Sequence, residues 1–315
     1  MTPPCRMILD VDTGIDDAMA IFYALHRPGI VLEAVTTVFG NIDVPAATRN
    51  TLQILELAGR GDIPVAPGAA QALTRPFVRG AVHIHGGNGL GEVTLPRPSA
   101  RPLDEHAADL IIRLVRAHPG ALTLCPVGPL TNIALALARA PEIAGMLREI
   151  VVMGGTLFHP GIPSPMADAN FWNDPEAARI VLRSGAKLTL VGMDVTMQAL
   201  LTPAMTDAIA EAGGAAATMM RIARFYVDAY LRQYPAIAGC GLHDPLAVAV
   251  AEDASLVSAE PMQVDIELAG ELTRGQMVVD RRATGTTRPN AAVCTGVDVP
   301  RFTERFMAAM QGGGR

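Results

Sequence analysis

Asp10, Asp12, Asp16 and Asp17 place four carboxylates within eight residues, directly behind the apolar run Met7-Ile8-Leu9. Each ionised carboxylate raises the cost of ionising the next, and burial compounds that cost. The usual compensation is a hard cation bound through oxygen. Thr13-Gly14 reads as the turn from a strand into a helix. Asp16 and Asp17 then fall in the first helical turn, where the helix dipole stabilises anions. Asp12 and Asp17 can converge on one cation while Asp16 reaches past it toward a substrate or a water. A helix start uses one Asp as its cap, so capping alone leaves the other acids unexplained.

Three further segments could carry chemistry. His243-Asp244-Pro245 precedes the apolar stretch Leu246–Val250. Pro245 suits the first helical position and Asp244 the N-cap, the plain reading of a helix start. Beside an acidic metal site, Asp244 becomes a third carboxylate ligand and His243 an acid near neutral pH. In Val82-His83-Ile84-His85-Gly86-Gly87-Asn88-Gly89, read as extended, the two histidines share a face and could chelate a metal, with a glycine-rich lid behind them. The segment Met166–Asp174 follows the turn Met153-Gly154-Gly155 and holds Asp168, Asn170 and Trp172, the only tryptophan. Carboxylates and amides beside an aromatic ring suit a polyhydroxylated ligand such as a sugar, and Asp174 is better used as a helix cap.

These motifs need a scaffold that brings them together. Met7–Leu9, Val31–Val38, Ala121–Cys125, Glu149–Met153 and Lys187–Met193 are short apolar runs of the kind covered on both faces in a sheet. Between them the spacing predicts helices. One spans Asp104–Ala117 with Asp104 as N-cap, and another is opened by Asp174-Pro175-Glu176 and closed by Gly185. Residues 202–234 read as wholly helical, and 263–280 as two antiparallel strands around Ala269-Gly270-Glu271. The alternation predicts an α/β fold, single-domain over 1–315, with a mostly parallel central sheet flanked by helices and a Rossmann-like core. In such sheets ligands bind outside the carboxyl ends of the strands.

With 315 residues, half of them hydrophobic, the chain can bury a large core. A net charge of −6 and no basic cluster argue against nucleic acid as a partner. No stretch is long and apolar enough for a bilayer, and the first residues lack a signal peptide's apolar core, so a cytoplasmic protein without membrane attachment is expected. Cys5, Cys125, Cys240 and Cys294 are far apart and read as reduced thiols.

Taken together, the motifs resemble the inosine–uridine preferring nucleoside hydrolases. That family opens with DxDxGxDDAxA, matched from Asp10 to Ala20. In family order follow Val35–Asn41, His83–Gly86, Pro126–Asn132, Val152–Gly155, Asn170 with Asp174–Ala178, and His243-Asp244-Pro245, covering nearly the whole chain. The resemblance implies hydrolysis of the N-glycosidic bond of a small-molecule ribonucleoside with one Ca²⁺. Calcium would be held by Asp12, Asp17, the main-chain carbonyl of Val127 and Asp244, with the ribose 2′- and 3′-hydroxyls and a water completing its shell. Asp16 would be the general base that activates the metal-bound water for attack at C1′. Asn41 and Asn170 would bind the ribose hydroxyls, and His243 would protonate the departing base. His85 would approach the base or the water, Met153 and Asp168 would line the sugar site, and Asp10 would brace the turn from behind. The family also implies a homodimer or homotetramer.

Two positions depart from the family pattern. Where members that favour common ribonucleosides place an Asn and a Glu around the ribose 5′-hydroxyl, this chain has Ile162 and Asp168. Ile cannot hydrogen-bond, and Asp reaches about one methylene less far, so 5′-hydroxyl recognition is expected to be weakened or re-routed, or the substrate to carry an altered 5′ group. Tyr226, Tyr230 and Tyr234, at i, i+4 spacing before His243, fit either a mobile wall against the base or a core stripe. Two rival readings remain. One is a Mg²⁺-dependent phosphohydrolase of the haloacid dehalogenase type, since Asp10-Val11-Asp12-Thr13 fits its nucleophile motif. Its lysine would have to be Lys187, the only one in the chain, which begins its strand instead of ending it. The other is a nucleoside- or ribose-binding protein without turnover, against which the presence of both Asp16 and His243 argues.

Overall fold

A computed structural model describes residues 3–78, 80–234, 236–280, 282 and 288–312. The chain forms one α/β domain around an eight-stranded sheet. Its strands in chain order are β1 Cys5–Val11, β2 Ile30–Thr37, β3 Val65–Pro67, β4 Leu122–Pro126, β5 Glu149–Met153, β6 Leu188–Val191, the pairing dipeptides β7 Leu200–Leu201 and β8 Cys240–Gly241, β9 Val257–Met262, β10 Val264–Ile266, β11 Met277–Val279 and β12 Ala291–Val297. The main sheet runs β3-β2-β1-β4-β5-β6-β12-β9, with every pair parallel except the β12–β9 edge. The order reverses between β1 and β4, which opens a crevice at the carboxyl ends of those two strands.

Side chains of β1 alternate between two cores. Met7, Leu9 and Val11 join the cluster under helices Ile15–Leu25, Gly214–Gln233 and His243–Glu252. Ile8 joins the opposite cluster, under helices Ala107–Ala117, Thr131–Arg139 and Pro175–Leu182. Burial on both faces is why these strands read as unbroken apolar runs. Among the described residues no helix is long and apolar enough to cross a membrane.

Several sequence expectations need correction. The helix after Asp104 starts at Ala107, with His106 as N-cap accepting from the Ala108 N–H. The helical stretch from Thr202 is broken: Pro203–Ala210 and Gly214–Gln233 are separate, because Gly213 and Gly214 take positive φ, +73° and +53°. Residues 263–280 do form an antiparallel pair, β10 with β11, but only three residues of each are in register. Strands β3, β9 and β12 lie outside the expected runs. β3 is three residues long, and β9 is an edge strand with mostly exposed side chains, so neither shows an apolar run.

Candidate active site

The turn after β1 is built by its own carboxylates. Asp17, three residues beyond the N-cap Gly14 of helix Ile15–Leu25, accepts from the Gly14 N–H at 2.9 Å and the Asp12 N–H at 3.0 Å. This satisfies free donors at the helix start and holds Asp17 rigidly. Gly14 is required by close approach: a β-carbon there would lie 2.5 Å from His85 Nδ1. Asn41 clamps the turn from β2, donating its backbone N–H to Asp12 Oδ2 at 2.6 Å and its amide to Asp17 Oδ2 at 3.1 Å. Asp10 stays behind the turn. Its Oδ1 accepts from the Thr36 hydroxyl and the Asn132 amide, and burial pushes its pKa up to about 7. Asn132 also donates to the Thr37 carbonyl and accepts from the Ala69 N–H, so it ties β1 and β2 to the loop that follows β3. Sequence reasoning matched Asn132 to a motif without seeing this bracing role.

Asp244 arrives from the far end of the chain. Oxygen atoms of Asp16, Asp17 and Asp244 lie within 4.8 Å of one another, and all three residues are buried. Asp16 Oδ1 and Asp244 Oδ2 have no hydrogen-bond partner. Burial first, then the charges of Asp16, Asp17 and Asp12, drive Asp244 well above the ordinary carboxylate range. Burial and Asp16 raise Asp17 to about 7. Buried, mutually repelling carboxylates with orphaned oxygens are a set of hard donors that a divalent cation would satisfy. Asp12 stands beside this set with its oxygens turned to Asn41. Val127, at the end of β4, offers a carbonyl that here accepts from the Asn170 amide at 2.8 Å.

The expected N-cap role of Asp244 is not realised. Helix His243–Glu252 starts two residues earlier, with Leu242 as N-cap and no side-chain cap. The histidine pair is also corrected. Val82–His85 is a helical turn, which sends His83 to solvent and buries His85. His85 Nδ1 accepts from the Ile15 N–H at 3.1 Å and lies 3.8 Å from Asp16 Oδ1, and burial lowers its pKa.

The three tyrosines resolve into two environments. Tyr226 and Tyr230 are buried, whereas Tyr234 sits at the helix C-cap. The Tyr226 hydroxyl lies within hydrogen-bond distance of Asp16 Oδ2, at 3.2 Å, and of the Tyr230 hydroxyl, at 3.3 Å. Tyr230 pairs with His243 Nε2 at 2.8 Å, and His243 Nδ1 pairs with the Thr196 hydroxyl at 2.7 Å. A continuous hydrogen-bonded chain therefore joins Asp16 to His243 through two phenols. Burial holds the His243 pKa down to about 4, so its ring is neutral at pH 7. Thr196 lies on a helical turn after β6 and carried no signal in the sequence.

Most of these groups line one cleft of about 520 Å³, open mouth included, with Asp12 and Asp17 lying outside its lining. Asp16, Asn41, His85, Val127, Met153, Asp168, Asn170, His243 and Asp244 all border it, and Ile162 joins them. The Asn170 amide donates to the carbonyls of Val127 and Met153, at 2.8 and 3.0 Å, which spans the tips of β4 and β5. Lys187, needed by the phosphohydrolase reading, instead sits at the amino end of β6, paired with Glu149 at 3.2 Å and largely exposed.

The fold and the cleft define a class: an α/β enzyme with a carboxylate centre at the switch point of its sheet. Comparison with known proteins narrows it. The sequence profile of the inosine-uridine preferring nucleoside hydrolases matches residues 7–304, and the chain belongs to that family. It is 42% identical to the inosine-uridine preferring nucleoside hydrolase of Leishmania major, over 95% of each chain. It is 39% identical to the pyrimidine-specific ribonucleoside hydrolase RihA of Shewanella baltica, over 97% of this chain and 96% of that one. Among solved structures, the purine-preferring ribonucleoside hydrolase from Gardnerella vaginalis superposes with a TM-score of 0.93 at 40% identity, covering 98% of both chains. Relatives named for opposite base preferences are thus about equally similar.

Proposed function

We propose that the protein hydrolyses the N-glycosidic bond of ribonucleosides in a calcium-dependent reaction, with Asp16 as general base. The observation that carries this reading is the buried carboxylate cluster of Asp16, Asp17 and Asp244, with unpartnered oxygens on Asp16 and Asp244, which border one cleft together with Tyr226, Tyr230 and His243. Asp12, Asp17, Asp244 and the Val127 carbonyl would hold the ion. Held there, calcium would supply positive charge that favours binding of a ribose diol and, weakly, ionisation of water. A base is therefore needed, and Asp16 takes the proton of the water that attacks C1′. The surrounding carboxylates favour the positive charge that develops on the ribose as the bond breaks. Asn41 and Asn170 bind the ribose hydroxyls, and His85 packs beside Asp16 on the water side. Met153 and Asp168 line the sugar site.

The departing base collects its proton at the His243 end of the cleft. Tyr230 and Thr196 hold the two nitrogens of the neutral imidazole in place, and the phenol chain can return to it the proton that Asp16 takes from water as the imidazole gives one up. The test is ribose release from a panel of purine and pyrimidine ribonucleosides, with and without chelator. Release that stops on chelation and returns with Ca²⁺ is expected. Release that is indifferent to chelation overturns the metal assignment, and no release from any ribonucleoside overturns the activity. The homodimer or homotetramer expected of this chain is checked by sedimentation velocity.

A further inference from the structure

Resting on that reading, the opposite flank of the sugar site has its own chemistry. A ribose held by its diol at the carboxylate cluster must send its base toward the proton donors, the side of Tyr226, Tyr230 and His243. In a furanose C4′ lies across the ring oxygen from C1′, so its C5′ group points away from the carboxylate cluster toward the part of the lining that holds Met153, Ile162, Asp168 and Ala169. Met153 is part of the buried apolar core and Ile162, half-buried, packs against that core. Asp168 is the one ionisable group there, and it is 1% exposed. Its Oδ1 accepts from the Gly155 N–H at 2.7 Å, and its Oδ2 accepts from the Asn170 and Phe171 N–H groups at 2.8 and 3.3 Å. It is the N-cap of helix Ala169–Asn173, a structural task that turns it toward the backbone. The neighbouring Asn170 amide is aimed back at Val127 and Met153.

A 5′-hydroxyl entering this flank gives up its water hydrogen bonds against Ile162 and Met153 and finds a carboxylate already used by three backbone donors. An unpaired buried hydroxyl is penalised, whereas a methyl in its place is favoured by the same wall. We propose that this chain is a hydrolase for ribonucleosides whose C5′ carries no hydrogen-bonding group, the 5′-deoxyribonucleosides, with Ile162 as the residue that sets this preference. The reaction is unchanged: water adds at C1′, the N-glycosidic bond breaks, and the base leaves with a proton, releasing 5-deoxyribose in place of ribose.

The experiment compares kcat/KM for inosine with 5′-deoxyinosine, and for uridine with 5′-deoxyuridine, on the calcium-loaded enzyme. An apolar pocket rejects an added hydroxyl only modestly, so the 5′-deoxy substrate should be favoured by about 10-fold, within a ceiling of roughly 100-fold. A site that hydrogen-bonds the hydroxyl would instead reject the deoxy analogue by orders of magnitude. Any preference for the hydroxylated parent beyond roughly threefold overturns the proposal while leaving ribonucleoside hydrolysis standing. Absence of hydrolysis of all four substrates overturns the reading beneath it. Ile162→Asn, at a half-buried position, should move the deoxy-to-parent ratio toward the parent by about 10-fold. An unchanged ratio in that variant, with an unaltered melting temperature, removes Ile162 from the role.

Discussion

Two Asp-Pro dipeptides open helices in this chain, and they have opposite physical fates. Asp174 caps helix Pro175–Leu182: its carboxylate accepts from the Ala177 and Leu73 N–H groups at 3.0 and 2.9 Å and from the Thr131 hydroxyl at 2.7 Å. Burial raises its pKa, and these three hydrogen bonds pull it back. Asp244 caps nothing, leaves Oδ2 without a partner and faces three other carboxylates, with burial and like charge all acting in one direction. The same local sequence thus yields a satisfied structural acid in one place and a frustrated one in the other. Frustration of this kind persists where a ligand relieves it.

The contrast breaks most visibly in activity. Asp244→Ala should lower kcat/KM for the best ribonucleoside by at least about 10³-fold at limiting calcium, whereas Asp174→Ala should leave kcat nearly unchanged. Similar losses in both would erase the distinction. Within the frustrated cluster, Asp16→Ala separates proton transfer from ion binding. Its kcat should fall by roughly 10²–10⁴ while calorimetry still detects calcium binding. Full activity in that variant refutes the assigned base.

His243→Ala is expected to cost inosine on the order of 10²-fold. A riboside whose leaving group needs no proton, such as 4-nitrophenyl riboside, should lose much less. Equal losses for the two would count against proton donation at that end of the cleft.

The smallest effects are in stability, and their signs differ. Asp174→Ala strands three donors and should cost about 1–3 kcal/mol in urea unfolding. In chelator, Asp244→Asn should stabilise, because it removes a repelled buried charge. Destabilisation would show the carboxylate to be structural after all. The pH dependence follows the same logic. Asp10 and Asp17, raised to about 7 in the folded chain, bind protons there that the unfolded chain has released. Their contribution to stability is present below about pH 4 and is lost as pH rises toward about 7. The chelated protein should therefore melt lower at pH 7.5 than at pH 5.5. Calcium should shrink that difference by keeping the carboxylates ionised.

What could be read along the chain was what depends on near neighbours. β5 falls on the expected residues Glu149–Met153, and the Asp174 cap sits where its Pro and acidic first turn place it, because apolar runs and caps are local devices. His83 and His85 part ways for the same reason: whether i and i+2 share a face depends on a backbone conformation that the short segment before Gly86-Gly87 does not specify.

The acid-rich first turn and the ordered motifs of a nucleoside hydrolase were present in the residues alone, and so was the replacement by Ile162 of a residue able to hydrogen-bond. Only the tertiary structure decided how these parts act on one another. It put Asp244 beside Asp16 and Asp17 without a partner, and turned Asp168 inward as a cap. It also linked Asp16 to His243 through Tyr226, Tyr230 and a sheet whose order reverses between β1 and β4. Hydrogen-bond satisfaction and like-charge repulsion are properties of atoms brought together from distant parts of the chain. They exist only once the parallel crossovers deliver those loops to the same end of the sheet.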